Sequence, residues 1–134
     1  MNWKNDFKTE WITNGLTSEA VEYTENFGKY LRDKWLSSSQ IRNVFGEMKQ
    51  IQSKMKADSN NLSNLYTRYL LLYPKLAYAA GRQRSEALTT FKEVFEKAYR
   101  TINTEKEFKN YYKNLVDFVE STLAFHRSFG GRIN

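Results

Sequence analysis

No cysteine occurs in the 134 residues, which excludes disulfides, thiolate nucleophiles and cysteine-ligated zinc or iron–sulfur sites. A single histidine, His126, leaves no His–His or His–Cys pair for a metal, so acid–base chemistry would fall to carboxylates, Lys, Tyr or that one imidazole. Proline appears once and glycine six times, both below the average usage of about 5% and 7%. The chain therefore lacks the turn residues that many short strands require. Its apolar residues never run to the roughly 18 needed to cross a bilayer. Residues 1–10 carry Lys4, Asp6, Lys8 and Glu10, where a signal peptide needs an apolar stretch. These absences predict a soluble, cytoplasmic protein without membrane contact, metal or cofactor. The glycines at 15, 28, 46, 81, 130 and 131 are too scattered to cradle a phosphate, and no nucleotide-binding loop, nucleophile elbow or HExxH motif is present.

What is present is basic charge and helical periodicity. Lys and Arg number 21 against 15 Asp and Glu, a net charge of +6 with a pI near 9.5, which makes a polyanion a reasonable partner. The length suits one domain of roughly 100–200 residues. Trp3, Phe7 and Trp11 fall four apart and form one aromatic edge of a short helix that Asn14-Gly15 stops. So short a helix must dock, and the expected dock is the body of the same protein.

From Thr17-Ser18, a stripe of Val21, Thr24, Phe27, Leu31 and Trp35 marks a first long helix ending at the serines 37–39. The serine run opens a second helix whose apolar face is Ile41, Val44, Phe45, Met48, Ile51 and Met55. Asp58-Ser59-Asn60-Asn61 breaks the period. The next segment, Leu62 onward through Leu65, Tyr69, Leu72 and Leu76, is apolar almost all round and reads as the central helix of a bundle. Pro74 predicts a kink or break near Tyr73, and Gly81 a left-handed C-cap. Ser85 opens a fourth helix along Leu88, Phe91, Phe95, Ala98, Tyr99 and Ile102. Thr104-Glu105-Lys106-Glu107 has the form of a capping box and opens a fifth that runs to about Phe129. The expectation is an all-α single domain over residues 1–134. It comprises a short aromatic segment at 1–16 and a bundle of about five helices at 17–129, the third kinked or broken near Pro74.

Catalytic apparatus is not visible. His126 follows Val119 and Leu123 in the apolar phase of its helix and reads as a satisfied core histidine. Glu93/Glu96 and Glu105/Glu107 lie on polar faces or in a first turn, where dipole and capping roles explain them. The basic residues say more. Arg42, Lys49 and Lys56 stand seven apart, along one helix flank at intervals of roughly 10.5 Å. Arg68, Lys75 and Arg82 repeat the spacing, although a solvated face is the plainer account of either triple alone. Arg82 and Arg84 fall in a tight helix–helix connection where guanidinium groups can converge on a phosphate. The 21 aromatic residues mostly take core phase, so no base-stacking platform is evident, and nucleic acid would be held by its backbone.

Two stretches carry a family resemblance: Ser39-Gln40-Ile41-Arg42, opening a helix, and Leu72-Tyr73-Pro74-Lys75-Leu76-Ala77-Tyr78-Ala79-Ala80-Gly81-Arg82, closing the next. Together they resemble the small subunit of the Csm effector complex of type III-A CRISPR systems, over residues 17 to 129. The resemblance implies a non-catalytic, all-α, RNA-binding subunit in antiviral defence. Such a subunit stacks in copies beside the guide RNA and stabilises the guide RNA–target RNA duplex. Its implied partners are both RNAs, the backbone and large Csm subunits, and further copies of itself. RNA contact carries over to Arg42, Lys75 and Arg82 within the matching stretches, and helical geometry extends it to Lys49, Lys56 and Arg84. The rival readings are a helical adaptor using Trp3, Phe7 and Trp11 as its protein contact edge, and a helix-turn-helix DNA binder using Gln40, Arg42 and Asn43. An enzyme is the weakest.

Overall fold

The computed structural model describes residues 2–131, apart from the side chains of Ser38 and Ser59. Among the described residues eight α-helices follow one another: α1 (Trp3–Asp6), α2 (Glu10–Thr13), α3 (Ser18–Asp33), α4 (Arg42–Ala57), α5 (Leu62–Leu70), α6 (Leu72–Gln83), α7 (Glu86–Tyr99) and α8 (Glu105–Ser128). Short 3-10 turns at Ser38–Gln40 and Ser59–Asn61 lead into α4 and α5. Among the described residues there is no extended strand, and no helix is long and apolar enough to cross a membrane.

Helices α3, α7 and α8 start where a side-chain oxygen takes an otherwise orphaned amide proton. Thr17 Oγ1 accepts from Ala20, Ser85 Oγ from Leu88 and Thr104 Oγ1 from Glu107, each at 3.1 Å. The Glu107 carboxylate completes the box one residue further back than the usual form, accepting from the Asn103 amide at 2.8 Å.

The aromatic N-terminal segment is not one helix, because Phe7 is extended (φ −70°, ψ 134°) and separates two single turns. The break lets Phe7 and Trp11 both enter the core at 2% exposure, which a four-residue helical edge lying on the surface would not achieve. Phe7 meets Phe118 of α8 edge-on at 5.0 Å between ring centres. Asn114 Nδ2 donates to the Ile12 carbonyl at 2.7 Å, and Lys97 Nζ donates to the carbonyls of Lys4 and Phe7 at 2.9 and 3.0 Å. The aromatic edge is thus spent inside the protein.

The central element is α8 rather than the apolar segment around Pro74. It packs against α2, α3, α4, α5 and α7 and buries Phe108, Tyr112, Leu115, Val116, Phe118, Val119, Thr122 and His126. The α5–α6 segment instead leaves Leu70, Leu71 and Tyr78 exposed. It divides at Leu71, and Pro74 lies in the first turn of α6. Helix α6 then passes through Gly81 to Gln83 and is capped by Arg84 in the left-handed region (φ 53°), so the sequence-based cap at Gly81 is displaced by three residues. A single core cluster runs from Phe7 to Val119.

In α3, Tyr23 and Gly28 join the core while Val21 stays exposed, as does Trp35 just beyond the helix end. Gly28 sits where α3 and α8 touch backbone to backbone: a Cβ there would meet the His126 nitrogen at 2.7 Å and the Thr122 oxygen at 2.8 Å. Among the described residues, no buried side-chain nitrogen or oxygen lacks a partner.

Candidate nucleic-acid interface

Helices α4 and α6 pack side by side. Val44, Met48 and Ile51 of α4 and Leu72, Leu76 and Ala80 of α6 are buried. The helical period then turns the residues between them outward. The outward rows enclose a cleft of ≈ 920 Å³, lined on the α4 side by Arg42, Asn43, Gly46, Glu47 and Gln50 and on the α6 side by Lys75, Tyr78, Ala79, Arg82 and Gln83. Gly46 has open space beside it, with nothing within 4 Å of where a Cβ would stand.

Three of the six sequence-derived residues, Arg42, Lys75 and Arg82, therefore come together here although they derive from two separate stretches. All three are exposed. The carboxylate of Glu47 also lines the cleft, but Arg68 grips it with two parallel hydrogen bonds, Nε to Oε2 at 2.8 Å and Nη2 to Oε1 at 2.7 Å. Those bonds hold the Glu47 carboxyl below the usual range against the opposing effect of burial, with the charges of Arg68, Lys75 and Lys54 adding to the shift. Arg68, the first member of the second basic triple, is thus engaged inside the protein and offsets the one acidic group of the lining. The lining keeps a cationic excess.

Lys49, Lys56 and Arg84 are exposed but do not line the cleft. A seven-residue step falls about 20° short of two full helical turns, and Lys49 Nζ reaches the other way, toward Glu120 of α8 at 3.4 Å. Lys56 lies in the last turn of α4. Arg82 belongs to the last turn of α6, not to a loop, and Arg84 alone occupies the connection.

Sequence reading named Asn43 only under the DNA-binding alternative and missed Tyr78, Gln50 and Gln83 as lining residues. Tyr78 is 70% exposed and stands two residues from both Leu76 and Ala80, out of phase with the core, which was the available signal.

His126 is buried, and its Nε2–H donates to the Leu36 carbonyl at 2.7 Å. Gly131 stands so close to the ring that no Cβ fits between them. The imidazole is held by packing and by its bond to Leu36. Among the described residues, no group of three or more His, Asp or Glu could hold a metal ion.

Neither the curated proteins nor the solved structures give a match to this chain. A family model described as Csm2 Type III-A matches residues 16–132. That span includes the whole of α3 to α8 and both stretches that line the cleft, and leaves the buried aromatic segment outside it. The chain belongs to the Csm2 Type III-A family, the small subunit of the Csm complex.

Proposed function

We propose that this chain binds RNA without cutting it, as a subunit that stacks in copies along the guide RNA–target RNA duplex and steadies it through basic side chains. The cleft between α4 and α6 is the contact surface. Arg42, Lys75 and Arg82 hold phosphates there, while Lys49, Lys56 and Arg84 add general attraction from outside it. The observation that carries this reading is the convergence of Arg42 with Lys75 and Arg82 on one concave surface, together with the net charge of +6.

Phosphate contact suits the task, because A-form helices expose phosphates and 2′-hydroxyls across a shallow groove and sequence can be left to base pairing. Three contacts give weak binding per copy. Copies that share one strand gain avidity without any new contact. The adaptor reading loses its contact edge, since Phe7 and Trp11 are buried in the protein's own core.

The test is purification of the tagged chain with its partners from cells carrying the native operon, followed by sequencing of nuclease-protected RNA. Wild-type protein should bring down discrete guide RNAs, and the variant with Ala at 42, 75 and 82 should capture less target RNA at equal recovery of protein partners. Equal target capture by both proteins would refute the assignment.

A further inference from the structure

We infer that the α4–α6 cleft takes an unpaired nucleotide, with Tyr78 as the platform on which its base stacks. This deepens the function proposed above and rests on it. Tyr78 is 70% exposed, an unusual state for a large aromatic ring in a protein whose other tyrosines are buried or half-buried. It lies on α6 between Lys75, three residues before it, and Arg82, four residues after it, and all three line the cleft. Those spacings put cation, ring and cation on one helix face.

The opposite wall supplies Arg42, and it supplies the amides of Asn43 and Gln50, with Gln83 beside Arg82. Amide groups can pair with the edge of a base that is not already paired. A face meant only for a duplex backbone needs neither an exposed ring nor a concavity. The ≈ 920 Å³ here falls in the roughly 300–1,000 Å³ range of sites that enclose a small ligand. A paired base keeps both faces stacked within its duplex and cannot reach Tyr78, whereas an unpaired base offers one face to the ring and its neighbouring phosphates to the cations. Gly46 keeps the α4 wall low, since a side chain there would project into open space.

The test compares the full-length chain on three fluorescent probes at low salt: an oligouridine, a ribose-phosphate chain of the same length without bases, and a fully paired RNA duplex. Wild-type protein should bind oligouridine about 5-fold or more tighter than the abasic chain, the lower end of what one stacked base contributes. Tyr78→Ala should erase that gap and leave abasic and duplex binding unchanged. Tyr78→Phe, which keeps the ring, should preserve it. Gly46→Leu, whose Cβ would meet nothing within 4 Å, should narrow the cleft and weaken oligouridine binding.

A Tyr78→Ala protein that keeps the wild-type gap overturns the inference. If the variant with Ala at 42, 75 and 82 still loses affinity for all three probes in that case, the phosphate reading survives. Unchanged affinity in both variants, or no binding by the wild type, overturns both.

Discussion

The Tyr99 hydroxyl donates to the Leu70 carbonyl at 2.7 Å, the carbonyl that Pro74, lacking an N–H, leaves without its helical donor. The Tyr69 hydroxyl returns the contact, donating to the Tyr99 carbonyl at 2.8 Å, and the two rings stack with centres 5.0 Å apart. A side chain of α7 thus satisfies the orphaned backbone group that the proline creates. Tyr99→Phe should cost about 0.5–1.5 kcal/mol, and the cost should shrink in a Pro74→Ala background, where the backbone supplies its own donor. Urea unfolding of the four proteins of this double-mutant cycle reads the coupling directly.

Three helical glycines should respond in opposite directions to the same added methyl group. At Gly28 the new Cβ would meet backbone atoms of α8 at 2.7 and 2.8 Å, and prising two packed helices apart should cost about 1–3 kcal/mol. At Gly46 and Gly81 it meets nothing within 4 Å. Alanine there should stabilise by about 0.5–1 kcal/mol each through helix propensity. Denaturation midpoints of Gly28→Ala, Gly46→Ala and Gly81→Ala give the three signs.

Burial holds the His126 pKa below the ordinary histidine value, outweighing the opposite effect of the bond to the Leu36 carbonyl, and the Arg127 charge lowers it further. The unfolded chain titrates near 6.5. Between that pH and the lower folded value the unfolded state holds a proton that the folded state refuses. The contribution is therefore complete above about pH 6.5 and is lost as the pH falls below it. Unfolding free energy measured from pH 8 to 5 should decline in the wild type and stay flatter in His126→Gln, whose amide can still donate to Leu36. Parallel curves would show that another group is responsible.

Trp35 occupies the position after the α3 cap with φ 67°, where glycine is the usual residue. Leu36 N–H donates to the Leu31 carbonyl at 2.9 Å and Trp35 N–H to Arg32 at 3.0 Å, the two bonds that close such a helix end. The indole is 74% exposed and recovers little of the strain by packing. Trp35→Gly should raise stability by about 1 kcal/mol, visible as a higher melting temperature.

Which of these features the sequence announces depends on how local their causes are. The caps at Thr17, Ser85 and Thr104 were legible because an N-cap needs only a hydroxyl and the amide three residues on. The break at Phe7 was not, since helical spacing from Trp3 to Trp11 says nothing about which of those rings fits against Phe118. Helix α8 became central, and the segment around Pro74 did not, because the number of neighbours of a helix is set by the packing of the others. Periodicity reports only which residues share a face. Arg42, Lys75 and Arg82 could be named from their stretches, but that they meet across one cleft follows from α4 lying against α6. Tyr78 escaped notice among aromatic residues that mostly face inward.

The most direct measurement is the salt dependence of single-stranded RNA binding by the full-length chain, its variant with Ala at 42, 75 and 82, and a second variant with Ala at 49, 56 and 84. If the three residues that line the cleft hold phosphates, the wild type should show a log–log slope of about −2. The first variant should lose both affinity and most of that slope, while the second should retain most of both. A first variant that binds as the wild type does, with the same slope, would contradict a phosphate-holding cleft between α4 and α6.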